Sequence, residues 1–293
     1  MIFGGIEAGG TKWVCAIGTG ATDVREATRF PTTTPDETIA RAAEFFTEHG
    51  PVAAVGVGTF GPIDLRYSSP TWGRITTTTK PGWANTDIWS ALRAHLDVPV
   101  AFDTDVNAAA LGEGRWGAAA GFETFCYVTV GTGIGGGAMV NGRLLHGLLH
   151  PEFGHMRVPH DYSRDPFAGG CPYHGDCLEG LASGDAIRRR CGKPGEEVDD
   201  ESAWELVAAY LGLGLVNVIS VLSPQRIILG GGVMRQPQLL SLVRRHVREF
   251  AAGYFDTCEL TAAIDDYVVG PDLGDSSGVI GAIELARDAS DGR

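Results

Sequence analysis

The sequence is short of positive charge. It has 23 Lys and Arg residues against 36 Asp and Glu in 293, which gives a formal net charge of −13 at pH 7. Such a chain repels nucleic acid and anionic membrane over most of its surface. One basic run, "AIRRRCGK" at 186–193, is typical of a solvated helix end. We therefore expect neither a nucleic-acid partner nor a membrane partner.

Cysteine is also scarce, and the first residues do not have the pattern of a signal peptide. The six cysteines show no regular spacing along the chain. The opening "MIFGGIEAGGTK" has no basic residues before its apolar stretch and reaches an acid at Glu7. These features favour a reducing cytoplasm, where cysteine near histidine indicates a metal site rather than a disulfide.

One long uncharged run resembles a membrane span. It covers 206–225, contains polar residues and two glycines, and ends close to Pro224. Because a lipid-facing span would be more uniformly apolar, the run predicts a buried core helix or a helix at a dimer interface.

Two common nucleotide-binding motifs are absent or misplaced. No G-x-x-x-x-G-K-[ST] occurs, which excludes a P-loop enzyme. Gly131, Gly133 and Gly136 satisfy G-x-G-x-x-G, but an Asn141-Gly142 hairpin turn follows where a dinucleotide-binding fold needs a helix. The Rossmann interpretation is therefore rejected.

Hydrophobic periodicity predicts an α/β fold in two halves. The first half should contain strands at 2–6, 12–17, 52–58 and 98–102, helices at 36–49 and 86–96, and a helix from about Asn107. The segment 124–145 then repeats the opening strand–turn–strand pattern, which suggests an internal duplication. We predict an N-terminal domain over 1–110 and a larger C-terminal domain over 111–293. A strand at 226–233 belongs to the latter, and a helix at 276–289 is expected to pack back on the former.

Three glycine clusters stand at the ends of predicted strands. The turns 7–12 and 131–137 can present successive backbone N–H groups to phosphate oxygens without a side chain in the way. The third cluster, at 229–233, would let a nucleobase and ribose lie against the backbone. Each could be an ordinary tight turn, but three on both halves of the chain predict a nucleotide cleft.

Two carboxylates follow the buried strand at 98–102. Phosphoryl transfer needs one carboxylate to orient or deprotonate the acceptor hydroxyl, and a strand end beside a cleft is a suitable place for it. Asp103 and Asp105 are two residues apart, so both would face the same side of an extended chain. Either could instead cap the helix that follows.

Histidine and cysteine concentrate in one stretch, 150–177. It holds four of the eight histidines, and Cys171, His174 and Cys177 have the spacing C-x2-H-x2-C. Three such ligands in seven residues suit tetrahedral Zn²⁺, with His150, His155 or His160 as the fourth. A closed site of this kind would be structural, and it would hold the nearby Glu152 and Glu179 in place to bind sugar hydroxyls.

These motifs together resemble bacterial fructokinases of the ROK family (repressors, open reading frames and kinases). The resemblance covers nearly the whole chain, and the motifs occur in family order: "GGIEAGGTK", "FDTDVNAAALGE", "VGTGIGGG", "HPEFGH", "CPYHGDCLEGLASG" and "GGGV". It implies a duplicated ribonuclease-H-like fold of the actin and hexokinase kind, with ATP and sugar bound between two domains. It also implies Mg²⁺-ATP as donor, the sugar 6-hydroxyl as acceptor, and a homodimer.

The resemblance also assigns site residues by motif position. Asp105 would be the general base, and Glu7 would lie near the magnesium. The other assignments are the zinc ligands His155, Cys171, His174 and Cys177, the sugar contacts Gly61, Thr104, Asp105, Glu152, His155 and Glu179, and the nucleotide contacts Gly9, Gly10, Thr11, Lys12, Gly131, Thr132, Gly133, Gly135, Gly231 and Gly232. A zinc-binding insertion would span about 150–180.

Two departures from the wider family bear on the substrate. Many ROK kinases have Asp where this chain has Glu7 and Asn where it has Thr104, and Thr104 cannot make the amide contact that Asn makes to glucose. Both differences favour phosphorylation of fructose to fructose 6-phosphate. The alternatives are a ROK hexokinase for mannose, glucose or an N-acetylated hexose, and a sugar-sensing protein without turnover.

Overall fold

The computed structural model describes residues 1–292, which form two compact units. The first unit comprises 1–121, 137–151 and 272–292, and the second comprises 122–136 and 152–271. The predicted boundary near residue 110 lies inside a helix, and the first unit continues to Gly121. The functional assignment of the two predicted domains stays a prediction.

Ten strands and ten α-helices are found within the described residues. The strands are β1 Phe3–Ala8, β2 Lys12–Gly20, β3 Asp23–Pro31, β4 Val55–Thr59, β5 Val100–Thr104, β6 Phe125–Val130, β7 Ile134–Val140, β8 Arg143–Leu144, β9 Arg226–Gly230 and β10 Val268–Val269. The helices are α1 Pro35–His49, α2 Ile88–His95, α3 Asp105–Trp116, α4 Leu178–Ala182, α5 Gly184–Cys191, α6 Glu201–Leu222, α7 Leu239–Ala251, α8 Cys258–Thr261, α9 Ile264–Tyr267 and α10 Ser277–Asp291.

The two sheets have matching strand orders. The first is β3-β2-β1-β4-β5, and the second, read from its other end, is β8-β7-β6-β9-β10. In the first sheet β1 is antiparallel to β2 and parallel to β4. In the second sheet β6 is parallel to β9, and β9 is parallel to β10. The repeated order confirms the predicted α/β fold of the duplicated actin and hexokinase kind.

Helices cover both faces of the first sheet. One face packs against α1 and α2 through a core that includes Trp13, Phe46 and Leu92. The other face packs against α10, where Phe3 contacts the cluster around Ile283. The strand β5 lies at one edge of this sheet, and the predicted base stands where β5 is followed by α3.

A buried carboxylate joins α3 to the segment before α10. Glu113 is fully buried and accepts hydrogen bonds from the backbone N–H groups of Ala118, Asp272 and Leu273 and from the Ser277 hydroxyl. A buried charge is tolerated only where it is well hydrogen-bonded, and this one has several donors. The C-terminal helix α10 then packs against α3, β1 and β4.

The second unit is built around the long helix α6. It packs against α7 and α4, and ten of its 22 residues are buried. Within the described residues, α6 is the one helix long and apolar enough to cross a membrane by length and composition, with a mean hydropathy of 1.9 and half of that window buried. A core helix has the same properties, and the buried half agrees with the core-helix prediction.

Two strands, β3 and the two-residue β10, were not predicted from the sequence. β3 pairs antiparallel with β2, but most of its residues are exposed. Its mixture of charged and small residues gives no apolar alternation, so the period-2 signal of a half-buried strand is missing. The Asn141-Gly142 hairpin turn between β7 and β8 is confirmed, with positive φ at both residues.

Candidate active site and metal centre

Asp105 is the first residue of α3, directly after β5. Burial raises the pKa of its carboxyl to about 6, although one oxygen accepts a hydrogen bond from the Val106 backbone N–H at 2.9 Å. A carboxylate with this pKa is ionised at neutral pH yet binds a proton more strongly than an exposed Asp does. Such a group can act as a general base.

The expectation that Asp103 and Asp105 face the same side rested on an extended chain at both positions. The strand ends at Thr104 and the helix begins at Asp105, so the period-2 rule does not apply across this junction. Neither aspartate is the N-cap. That position belongs to Thr104, whose buried hydroxyl accepts from the Asn107 backbone N–H at 3.1 Å.

Asp103 is engaged in three hydrogen bonds. It is buried, and it accepts from the Thr104 backbone N–H at 2.7 Å, from Asn107 Nδ2 at 2.8 Å and from His146 Nε2 at 2.8 Å. A carboxylate held this way is a poor choice for accepting a substrate proton. His146 was missed in the sequence, where its only signal was its place four residues before His150.

Glu7 ends in a buried oxygen without a hydrogen-bond partner among the described residues. Burial and the neighbouring Asp105 carboxylate raise its pKa to about 7, while Lys12 and Arg29 act in the opposite direction. A buried acid without a donor is uncommon in folded proteins and indicates a missing cation or ligand. An oxygen ligand of this type suits Mg²⁺.

The turn between β1 and β2 carries the first set of predicted nucleotide residues. The Gly9 N–H donates to the Lys12 carbonyl at 3.0 Å, and a side chain at Gly9 would clash with that carbonyl. Thr32 fixes the outside of the turn: its hydroxyl donates to the Gly9 carbonyl at 2.6 Å, and its N–H donates to the Thr11 carbonyl at 3.0 Å.

The turn between β6 and β7 carries the second set. The Gly131 and Thr132 carbonyls accept from the N–H groups of Gly184 and Asp185, at 2.7 and 3.3 Å, where α5 begins. On the other side, Glu179 Oε2 accepts from the Ile134 N–H at 2.9 Å. The sequence-predicted sugar ligand Glu179 therefore has one oxygen on the glycine turn.

The third glycine cluster follows β9. Gly231 has φ +95°, and a side chain there would lie 2.4 Å from the Val130 carbonyl, so only glycine fits. Around Gly232, in contrast, a side chain would meet nothing within 4 Å. The backbone at Gly232 is thus unobstructed, and its contact with a nucleotide stays a prediction.

Gly61 lies beside the ring of His150. A side chain at Gly61 would come 3.3 Å from that ring, and His150 Nε2 accepts from the Ile63 backbone N–H at 3.0 Å. Burial lowers the pKa of His150, which fits a neutral ring with an acceptor nitrogen. This position excludes His150 as a metal ligand.

The predicted zinc ligands come together in the second unit. One ligand atom from each of His155, Cys171, His174 and Cys177 lies within 4.8 Å of all the others. The two histidine Nδ1 atoms are 3.3 Å apart, and each Cys171 Sγ to Nδ1 distance is 3.7 or 3.8 Å. Ligands about 2.0 Å (N) and about 2.3 Å (S) from a tetrahedral Zn²⁺ would lie about 3.3–3.8 Å from each other.

The residue set therefore fits Zn²⁺, with His155 as the fourth ligand among the three candidates. His160 lies elsewhere, with Nδ1 3.3 Å from Asp176 and Nε2 3.0 Å from the Asp165 carbonyl. Since His155 turns Nδ1 to the cluster, Nε2 is the nitrogen left for another contact. Glu152 immediately precedes the short helical turn Phe153–His155.

The two sheets of matching strand order and their paired glycine turns place the protein in the class with the actin and hexokinase type of fold. A sequence model of the ROK family matches residues 3–289, and the chain belongs to that family.

Three similar proteins illustrate the match. A fructokinase from Zymomonas mobilis is 45% identical, covering 97% of this chain and 96% of that protein. A fructokinase from Pediococcus pentosaceus is 41% identical, covering 99% of each. The crystal structure of a ROK family glucokinase from Streptomyces griseus in complex with glucose and AMPPNP has a TM-score of 0.78 and 25% identity, covering 98% of this chain and 100% of that one.

Proposed function

We propose that the protein is a fructokinase that transfers the terminal phosphate of ATP to the 6-hydroxyl of D-fructose. The full-length similarity to fructokinases at 41–45% identity supports the substrate. The nucleotide follows from the family and from the AMPPNP complex of the Streptomyces griseus protein. The single observation within the chain that carries the chemistry is the partly buried Asp105, with its raised pKa, at the junction of β5 and α3.

In this proposal Asp105 accepts the proton of the attacking 6-hydroxyl. Mg²⁺ would neutralise charge on the ATP phosphates when bound, and Glu7 is the acid that would face it. Sugar contacts are proposed for Gly61, Thr104, Glu152, His155 and Glu179. Nucleotide contacts are proposed for Gly9, Gly10, Thr11, Lys12, Gly131, Thr132, Gly133, Gly135, Gly231 and Gly232.

Zinc is proposed to be structural. All four ligands come from the protein, which leaves no open position for a substrate at a tetrahedral ion. The ion would hold the segment from His155 to Cys177, and with it the adjacent Glu152 and Glu179.

We further propose a cytoplasmic homodimer. The face of α6 that includes Leu206 and Leu213 is only half-buried, and Val221 is 80% exposed. A second copy covering this apolar face would explain it, because contiguous exposed apolar surface is unusual on a soluble monomer. Light scattering that gives the mass of one chain would contradict the dimer.

The substrate is tested by ATP consumption with fructose, mannose, glucose and N-acetylmannosamine in Mg²⁺ buffer. We expect the highest kcat/KM for fructose. A preference for another hexose would change the substrate and keep the mechanism. Absence of turnover with every sugar, in a zinc-loaded and folded sample, would favour the sugar-sensing alternative.

The base is tested with Asp105→Asn. Loss of a general base should lower kcat by about 100-fold or more with little change in fructose binding. In the unmodified protein, kcat/KM should fall as the pH drops below about 6, because protonated Asp105 cannot accept a proton. Asp97→Asn, an exposed residue just before β5, is the matched control and should behave as the unmodified protein. Near-normal turnover of Asp105→Asn would remove Asp105 from this role.

A further inference from the structure

His146 is a partly exposed ring joined to a buried carboxylate. Its side chain is 41% exposed, while that of Asp103 is 6% exposed, and Nε2 lies 2.8 Å from Asp103 Oδ2. Asp103 Oδ1 also accepts from the Thr104 N–H and from Asn107 Nδ2. A buried, hydrogen-bonded aspartate beside a partly exposed histidine is a common way to orient an imidazole.

The hydrogen bond determines which nitrogen carries a proton. Asp103 accepts, so Nε2 bears the hydrogen, and this hydrogen bond raises the pKa of His146. Within residues 1–292, Nδ1 of His146 has no hydrogen-bond partner. The ring thus presents one nitrogen and an exposed edge that no contact of the fold uses.

The loop that carries His146 is attached at two points to the predicted sugar site of the first unit. At one end, His146 contacts Asp103, two residues before the proposed base Asp105. At the other end, His150 accepts from the Ile63 N–H and lies against Gly61, a predicted sugar contact. A loop held at both ends near these residues positions its exposed ring reproducibly.

We infer that His146 contacts the hexose through its free ring nitrogen, that Asp103 orients it, and that this pair contributes to the choice among hexoses. The inference rests on the proposed kinase function and deepens it. A site that hydrogen-bonds a substrate hydroxyl discriminates strongly against sugars that place that hydroxyl elsewhere. The alternative is that His146 only compensates the buried charge of Asp103.

Two variants of the zinc-loaded enzyme separate these roles. The amide of Gln reaches the position of Nε2, so His146→Gln keeps the contact with Asp103 but lacks the ring nitrogen Nδ1. His146→Ala lacks both. We expect each to raise the fructose KM by about 2- to 10-fold, the loss of one hydrogen bond between neutral groups, with kcat nearly unchanged. The ratio of kcat/KM for fructose to that for glucose should fall.

The result that overturns the inference is a His146→Gln enzyme with unchanged fructose KM and unchanged sugar preference. The thermal midpoint of His146→Gln should stay near that of the unmodified enzyme, which separates a lost contact from a lost fold. An equal rise in the KM of ATP and of fructose would also contradict a hexose contact.

A double-variant comparison tests the orienting role of Asp103. Asp103→Asn should raise the fructose KM, and adding it to His146→Gln should raise KM no further, because residues that act as one unit are not additive. If the two changes instead raise the fructose KM by independent factors that multiply, Asp103 does not act through His146.

The same contact can be tested without turnover. If the unmodified protein phosphorylates no hexose, the kinase proposal fails, but calorimetric titration with fructose still compares it with His146→Gln. Weaker fructose binding by the variant would support the contact, whereas equal binding, or none by the unmodified protein, would overturn it.

Discussion

The two glycine turns differ in what holds them. The turn after β1 is fixed by Thr32, about 20 residues along the chain in the same unit. The turn after β6 is fixed by Glu179 and by the start of α5, nearly 50 residues away and close in sequence to Cys177, a proposed zinc ligand. The comparison indicates that the position of the first turn depends on its own sheet, whereas that of the second depends on the segment proposed to bind zinc.

Zinc loss should therefore affect the two turns unequally. Cys171→Ala removes one ligand, and we expect the KM of ATP and of fructose each to rise by about 10- to 100-fold, the usual range when groups around a metal are disturbed. Hydrogen exchange should speed up at the Ile134 amide and stay unchanged at the Gly9 amide. Cys258→Ala, at an exposed cysteine, is the control. An equal increase in hydrogen exchange at both amides would contradict the proposed difference between the two turns.

The hydrogen bond between Glu179 and the turn after β6 can be weakened while the metal stays bound. Glu179→Gln keeps the shape but weakens a charge-assisted hydrogen bond to the Ile134 N–H, so we expect the KM of ATP to rise by about tenfold. The variant should retain zinc in metal analysis. Glu197→Gln, exposed in the same unit, should change neither quantity. A rise confined to the sugar KM would show that Glu179 acts through its other oxygen alone.

The first turn has its own test in Thr32→Val. This change removes the hydroxyl that donates to the Gly9 carbonyl and keeps the side-chain volume. We expect the free energy of unfolding to drop by about 1 kcal/mol and the KM of ATP to rise a few-fold, whether or not zinc is bound. Chemical denaturation with and without a chelator measures this. A zinc-dependent effect would contradict the independence of the first turn.

The last prediction concerns the acid beside the first turn. Because the pKa of Glu7 is raised from 4.5 to about 7, its ionisation destabilises the folded protein, and the free energy of unfolding should decline as pH rises between these values. In magnesium-free buffer, Glu7→Gln should flatten that decline. Denaturation at pH 5 and pH 8 measures it, with the exposed Glu26→Gln as control. An unchanged decline would place the titration elsewhere.

Much of the fold was predictable because its signals are local. The apolar runs at 52–58 and 98–102 predicted β4 and β5 within three residues, and the C-x2-H-x2-C spacing predicted three metal ligands. The choice of His155 over His150 depended on which histidines the chain folds together, and residue spacing left it open. His146 was missed for the same reason: its partner Asp103 lies 43 residues away.

The relative orientation of Asp103 and Asp105 shows a second limit of prediction from sequence patterns. It assumed that one backbone conformation covers both residues, but the structure changes from strand to helix between them. Sequence patterns identify element types better than element ends, and this site is built on an element end.

The placement of α10 bears on how the protein folds as it is synthesised. The second unit consists of residues that leave the ribosome before residue 272, so it can form while translation continues. The first unit needs α10 against α3 and needs residues 272–277 around Glu113. The sheet of the first unit is translated first, but one of its faces stays uncovered until those residues emerge.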